Sequence, residues 1–134
     1  MTEASRADAA EPRRLVVVAT DLMRLSRVTE GAKALGYEVT VADTAEEARR
    51  ALRSGPAALL VLDLQADDLR WEDVVAVAKD PTSGPVPVLA FGQHTKPELL
   101  RDARRAGCDV VVARSQLVEE LPELIERARG LRKA

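Results

Sequence analysis

The run Ala57-Ala58-Leu59-Leu60-Val61-Leu62 followed by Asp63 (AALLVLD) is the most apolar stretch of the chain and decides its fold. Ser54-Gly55-Pro56 precede it, and the polar loop LQADDLR (64–70) follows. Such a run is too short for a buried helix. It suits a strand covered on both faces, as in a parallel sheet. Asp63 then stands at the C-terminal end of that strand, where open α/β sheets carry their ligands and reactive groups.

The same alternation extends in both directions. Upstream, Leu15–Ala19 (LVVVA) reads as a strand. Asp21 then caps a helix with Leu25, Val28, Ala32 and Leu35 inward and Gly36 as its stop. Val39–Ala42 is a second strand, and Thr44 with Glu47 forms a capping box for the next helix. Downstream, a helix around Trp71–Ala78 is closed by Pro81, Gly84 and Pro85. Pro87–Phe91 and Asp109–Ala113 are the fourth and fifth strands. Between them Thr95, Pro97 and Glu98 open a helix with Leu99 or Leu100, Ala103 and Ala106 inward. Ser115 starts a short turn. Pro122 opens a last helix with Leu121, Leu124, Ile125 and Ala128 inward and arginines late, complementing its dipole. Five βα units in a row predict a doubly wound parallel α/β sandwich with about five helices. The reading places a flexible polar tail at 1–14 and one domain at 15–134.

Composition removes several function classes. The chain has 134 residues, enough for one domain, and 46% of them are hydrophobic, too many for a disordered chain. Its formal charge of −2 and its 2% aromatic content argue against a nucleic-acid partner. Cys108 is the single cysteine, so neither an internal disulfide nor a cysteine-based metal site is available. It reads as a small buried apolar residue. No apolar run reaches the roughly 20 residues of a membrane span, and the first 14 residues carry no signal-peptide stretch. A cytoplasmic protein with no membrane contact is expected. There is no Gly-rich dinucleotide loop, no P-loop and no nucleophile–base pair, so no enzymatic activity is expected.

From about Leu15 to Gly130 the chain resembles a response-regulator receiver domain (CheY-like). The spacing of the five strands carries the resemblance. So do GYEVTVADTAEEA (Gly36–Ala48), LLVLDLQ (Leu59–Gln65), PVLAFG (Pro87–Gly92) and AGCDVVVARS (Ala106–Ser115). The resemblance implies a flavodoxin-like three-layer fold with strand order 2-1-3-4-5, and that Asp63 is the equivalent of the phospho-acceptor aspartate. The remaining family positions are altered here. The acidic pair that holds Mg²⁺ falls on Ala19 and Thr20, and a one-residue slip brings in Asp21 as one weak candidate ligand. The hydroxyl residue after the fourth strand falls on Gly92. The lysine after the fifth strand falls on Arg114, followed by Ser115 in place of the usual proline. The aromatic switch residue falls on Val111.

Phosphoryl transfer to a carboxylate brings two anions together, and Mg²⁺ held by several oxygen ligands neutralises them. One carboxylate, no hydroxyl and an arginine for a lysine make a poor set for that step. The expectation is a degenerate receiver, a pseudo-receiver with no cofactor, needing Mg²⁺ only if Asp63 is phosphorylated. Asp21 reads as an N-cap ahead of a metal ligand, and Asp67 and Asp68 as cap and loop residues. Gln93 and His94 read as a tight loop, with a modified ligand pocket as the sharper alternative. Trp71 reads as packing.

Arg101, Arg104 and Arg105 form a basic stripe on the fourth helix. In receivers the face of the fourth helix, fifth strand and fifth helix docks partners and makes dimers. The expected partner is therefore a protein (a kinase, an effector or a scaffold) or a second copy through that face. Two other readings stand beside this one: a working phospho-switch at Asp63, and a small-molecule-binding flavodoxin-like module.

Overall fold

The β-branched runs form five parallel strands: β1 (Arg14–Val18), β2 (Glu38–Ala42), β3 (Leu59–Asp63), β4 (Val88–Gly92) and β5 (Val110–Ala113). They lie in the order β2-β1-β3-β4-β5, as the resemblance implies. The structure is a computed structural model and describes residues 12–66 and 68–133. Six helices connect and cover the sheet: α1 (Leu22–Ala34), α2 (Ala45–Arg53), α3 (Trp71–Lys79), α4 (Pro97–Ala106), α5 (Arg114–Glu119) and α6 (Leu121–Lys133). The sixth arises because the turn expected at Ser115 is a short helix of its own.

Strand side chains alternate between two cores. Val16, Val18, Leu60, Leu62, Val88, Ala90 and Val111 face α2, α3 and α4. Leu15, Val17, Leu59, Val61, Leu89, Phe91 and Val112 face α1, α5 and α6. Strand β3 is buried at all five positions, the consequence of its central place and its unbroken apolar sequence.

Three sequence expectations are corrected. Leu35 is 37% exposed because α1 ends at Ala34 and Gly36 turns the chain away at φ +92°. Ala106 is exposed, since the last turn of α4 overhangs the sheet before Gly107 ends it at φ +115°. Lys96, not Thr95, occupies the N-cap of α4, and Pro97 supplies the rigid first turn. Other expectations match. Asp21 Oδ1 accepts the Met23 N–H at 3.0 Å, and Thr44 Oγ1 accepts the Glu47 N–H at 3.0 Å. The Glu47 carboxylate reaches back to the Asp43 N–H at 2.9 Å, one residue further than a capping box requires.

Arg13 and Arg14, assigned above to the tail, are both engaged. Arg14 opens β1, and its Nη2 donates to Ala51 O and Gly55 O at 2.6 Å each, closing the C-terminal end of α2. The Arg13 guanidinium stacks 4.4 Å from the Tyr37 ring centroid. Arg129, buried in α6, donates to Tyr37 Oη at 2.6 Å. Residues 1–11 of the tail, and Asp67, lie outside the described residues.

Cys108 is buried, as expected. Burial first, and the neighbouring Asp109 carboxylate second, push its thiol up to about 12. Only about one thiol in 10⁴ is then ionised at pH 8. Cys108 is expected to ignore a disulfide-exchange reagent in the folded protein and to react promptly once urea unfolds it. Equal rates in the two states would place it outside the core.

Candidate functional site

The C-terminal ends of parallel strands collect the loops that can carry chemistry. Register decides which side chains meet there. Val18 pairs with Leu62, which brings Ala19 level with Asp63. On its other side Asp63 pairs with Phe91, and Phe91 pairs with Val112. Alternation turns Asp63 to the α1/α5/α6 side of the sheet, in one row with Ala19 and Phe91. The carboxylate is fully buried, and its Oδ1 accepts the Gln65 N–H at 2.9 Å.

Ala19, Thr20 and Asp21 follow the end of β1 at Val18, and of the three Ala19 is the one that continues the register toward Asp63. Ala19 is buried, and its N–H donates to Ala42 O at 3.1 Å. Asp21 lies two residues on, exposed, with one oxygen capping α1. Asp43, at the end of β2, turns to Glu47; the hydrogen bond between the two side chains raises the Asp43 carboxyl and lowers that of Glu47. Asp68 sits exposed in the loop after β3 at φ +61°, a backbone region that Asp tolerates.

The position after β4 is occupied by another group. A Cβ added to Gly92 would lie 3.3 Å from Gln65 Oε1 and 3.3 Å from Leu100 Cδ2. The missing side chain therefore leaves the space that the Gln65 carboxamide uses. Gln65 Oε1 accepts the Gln93 N–H at 2.6 Å and, at a longer 3.5 Å, an Arg114 N–H. Its Nε2 faces Gln93 Oε1 at 3.4 Å. Arg114 is half-buried, and its Nε is enclosed with no hydrogen-bond partner. Gln93 and His94 are both exposed.

Beside this group an open cleft of about 550 Å³ runs between α1 and α5, lined by Asp21, Met23, Arg27, Arg114, Ser115, Val118 and Glu119. Its arginines and acids balance in charge.

Of the four residues expected on a partner face, three lie on α4 and one, Val111, in β5. Arg101 and Arg105 are exposed on α4. Arg104 is engaged: its Nη2 donates to Val111 O at 3.3 Å, tying α4 to β5. Val111 itself is buried. Trp71 is half-buried against the α2/α3/α4 core.

Sequence reasoning placed Asp63, Ala19, Gly92 and Arg114 at one edge, and the structure brings them there. It did not foresee that Gln65 bridges Asp63, Gln93 and Arg114. A signal was available: a glycine beyond β4 and a long amide two residues after Asp63.

The strand order and the two helical layers are those of solved response-regulator receiver domains of the CheY-like fold. The receiver domain of NtrX from Brucella abortus superposes with a TM-score of 0.77 at 21% identity, over 87% of this chain and 98% of that one. The receiver domain of the sensor histidine kinase PA1611 from Pseudomonas aeruginosa PAO1, solved with a magnesium ion coordinated in its active-site cleft, gives a TM-score of 0.73. Its identity is 18%, over 89% of this chain and 98% of that one. In sequence, the chain is 32% identical over 119 residues to a gliding motility regulatory protein of Myxococcus xanthus. The match takes in 86% of this chain and 15% of that protein, so the chain spans a small part of its relative's length. No family model matches. Among the described residues no helix is long and apolar enough to cross a membrane.

Proposed function

We propose that the chain is a receiver-like module of two-component-type signalling that works by protein–protein contact, without conventional Mg²⁺-dependent phosphorylation of an aspartate. One observation carries this reading: the row around Asp63 is apolar. Ala19 stands where a second carboxylate is needed, and Phe91 flanks the other side. Mg²⁺ requires several oxygen ligands, usually including carboxylates, in a near-octahedral array. Among the described residues no three His, Cys, Asp or Glu side chains converge to hold a metal. Among the described residues the donor set around Asp63 does not fit the ion, and no phosphoryl step is routed through it. In this reading Asp63 is a structural residue at the end of β3.

Contact falls on the face of α4, β5 and the last helix, α6. Arg101 and Arg105 present positive charge there to an acidic surface of a kinase, effector or scaffold, and a second copy is the alternative occupant. Val111 in place of an aromatic residue removes a rotamer signal between site and face, which agrees with a surface that is always presented. Receiver-type modules are generally signalling modules and not enzymes. The Myxococcus relative makes regulation of motility the first pathway in which to look for a partner.

The test is intact mass after incubation with acetyl phosphate, with and without Mg²⁺, for the wild type and Asp63→Asn. The expected result is no added mass while a conventional receiver in the same buffer is modified. A Mg²⁺-dependent phosphoryl adduct lost in Asp63→Asn would overturn the reading and make Asp63 a working switch.

A further inference from the structure

The strand-end loops of this sheet are joined by a side chain. We infer that Gln65 is a built-in latch: its carboxamide holds the β4–α4 loop in one position over Asp63. The start of α4 is then set by the chain itself and not by a group added at Asp63. This rests on the reading that Asp63 is not conventionally phosphorylated, and it adds what takes the place of that control.

The geometry is specific. Gln65 is anchored at its own N–H by the buried Asp63 carboxylate at 2.9 Å. Its Oε1 takes the Gln93 N–H at 2.6 Å, a short bond that fixes the first residue beyond β4. The Gln93 carbonyl in turn accepts the N–H of Lys96, the N-cap of α4, at 3.0 Å, and Lys96 O accepts the Leu100 N–H at 3.3 Å. A line of hydrogen bonds thus runs from Asp63 through Gln65 and Gln93 to the first turn of α4. Arg114 closes it on the β5 side at 3.5 Å, a weaker contact. Gly92 is what makes room. A Cβ there would crowd the Gln65 oxygen at 3.3 Å, so a hydroxyl-bearing residue at 92 and the latch compete for one space.

Amide hydrogen exchange of the full chain tests this without any phosphate donor, so its outcome is independent of the mass measurement above. The Gln93 N–H is expected to be protected in the wild type, although its loop is exposed, and to exchange about tenfold faster in Gln65→Ala. Gln65→Glu keeps an acceptor oxygen and should keep the protection. The Leu64 N–H, bonded to Phe91 O at 3.0 Å inside the sheet, is the internal reference and should not change in either variant. Free exchange of Gln93 in the wild type would overturn the latch. So would protection that survives Gln65→Ala, or a loss of protection shared equally by Leu64, which would mean general loosening.

Discussion

Phe91→Ala is expected to lower the stability of the folded chain by about 3–5 kcal/mol, a large part of what a domain of this size has to spare. Phe91 is the one phenylalanine of the sequence and is 1% exposed. It lies between Asp63 and Val112 in adjacent strands, on the side of the sheet covered by α1, α5 and α6. Truncation removes its apolar surface and leaves a cavity in a rigid sheet that cannot collapse around it. The melting temperature should fall by roughly 10–20 °C. Phe91→Leu, which keeps most of the volume, should cost only about 1–1.5 kcal/mol. Urea unfolding of the three proteins measures both. A loss below about 1 kcal/mol in Phe91→Ala would mean that the row flanking Asp63 is not packed as described.

The parts of this molecule that were legible in the sequence are those that depend on neighbours along the chain. An unbroken run such as Leu59–Leu62 announces a strand buried on both faces, and Thr44 with Glu47 announces a helix start, because both signals lie within a few residues. Errors came where tertiary geometry overrules spacing. Leu35 continues the period of α1 but follows its last turn, so Gly36 carries it away from the core. Ala106 continues the period of α4 yet extends past the sheet. Thr95 has a capping side chain, but Pro97 sets the helix start so that Lys96 becomes the cap. At the site, the substitutions at 19, 92 and 114 were readable one by one. Their joint consequence was not, since the space beside Gly92 is filled by Gln65, 27 residues earlier in the chain, and only the fold brings the two together. The orphaned Nε of Arg114 is equally invisible without coordinates.

Ala19→Asp tests register and function together. Ala19 is 3% exposed and stands level with the buried Asp63, with which the new carboxyl would share the end of the sheet. Two carboxylates in that position repel, and neither has water to screen it, so the ionised pair should cost about 3 kcal/mol at neutral pH. The repulsion and the burial both raise the folded-state pKa of the pair's more weakly acidic carboxyl above its unfolded value of about 4. The folded state then holds that proton more tightly. Stability of the variant should therefore be greatest at acid pH, approaching that of the wild type, and should fall as the pH rises from about 4. A divalent cation offers the same relief by neutralising the pair. Millimolar Mg²⁺ at neutral pH should raise the variant's melting temperature and leave that of the wild type unmoved. Thermal melts across pH, with and without Mg²⁺, read all of this. A variant as stable as the wild type at neutral pH would show that position 19 does not face Asp63. A wild type that Mg²⁺ stabilises would show that the chain already holds a metal site, and the proposed contact-only role would fall with it.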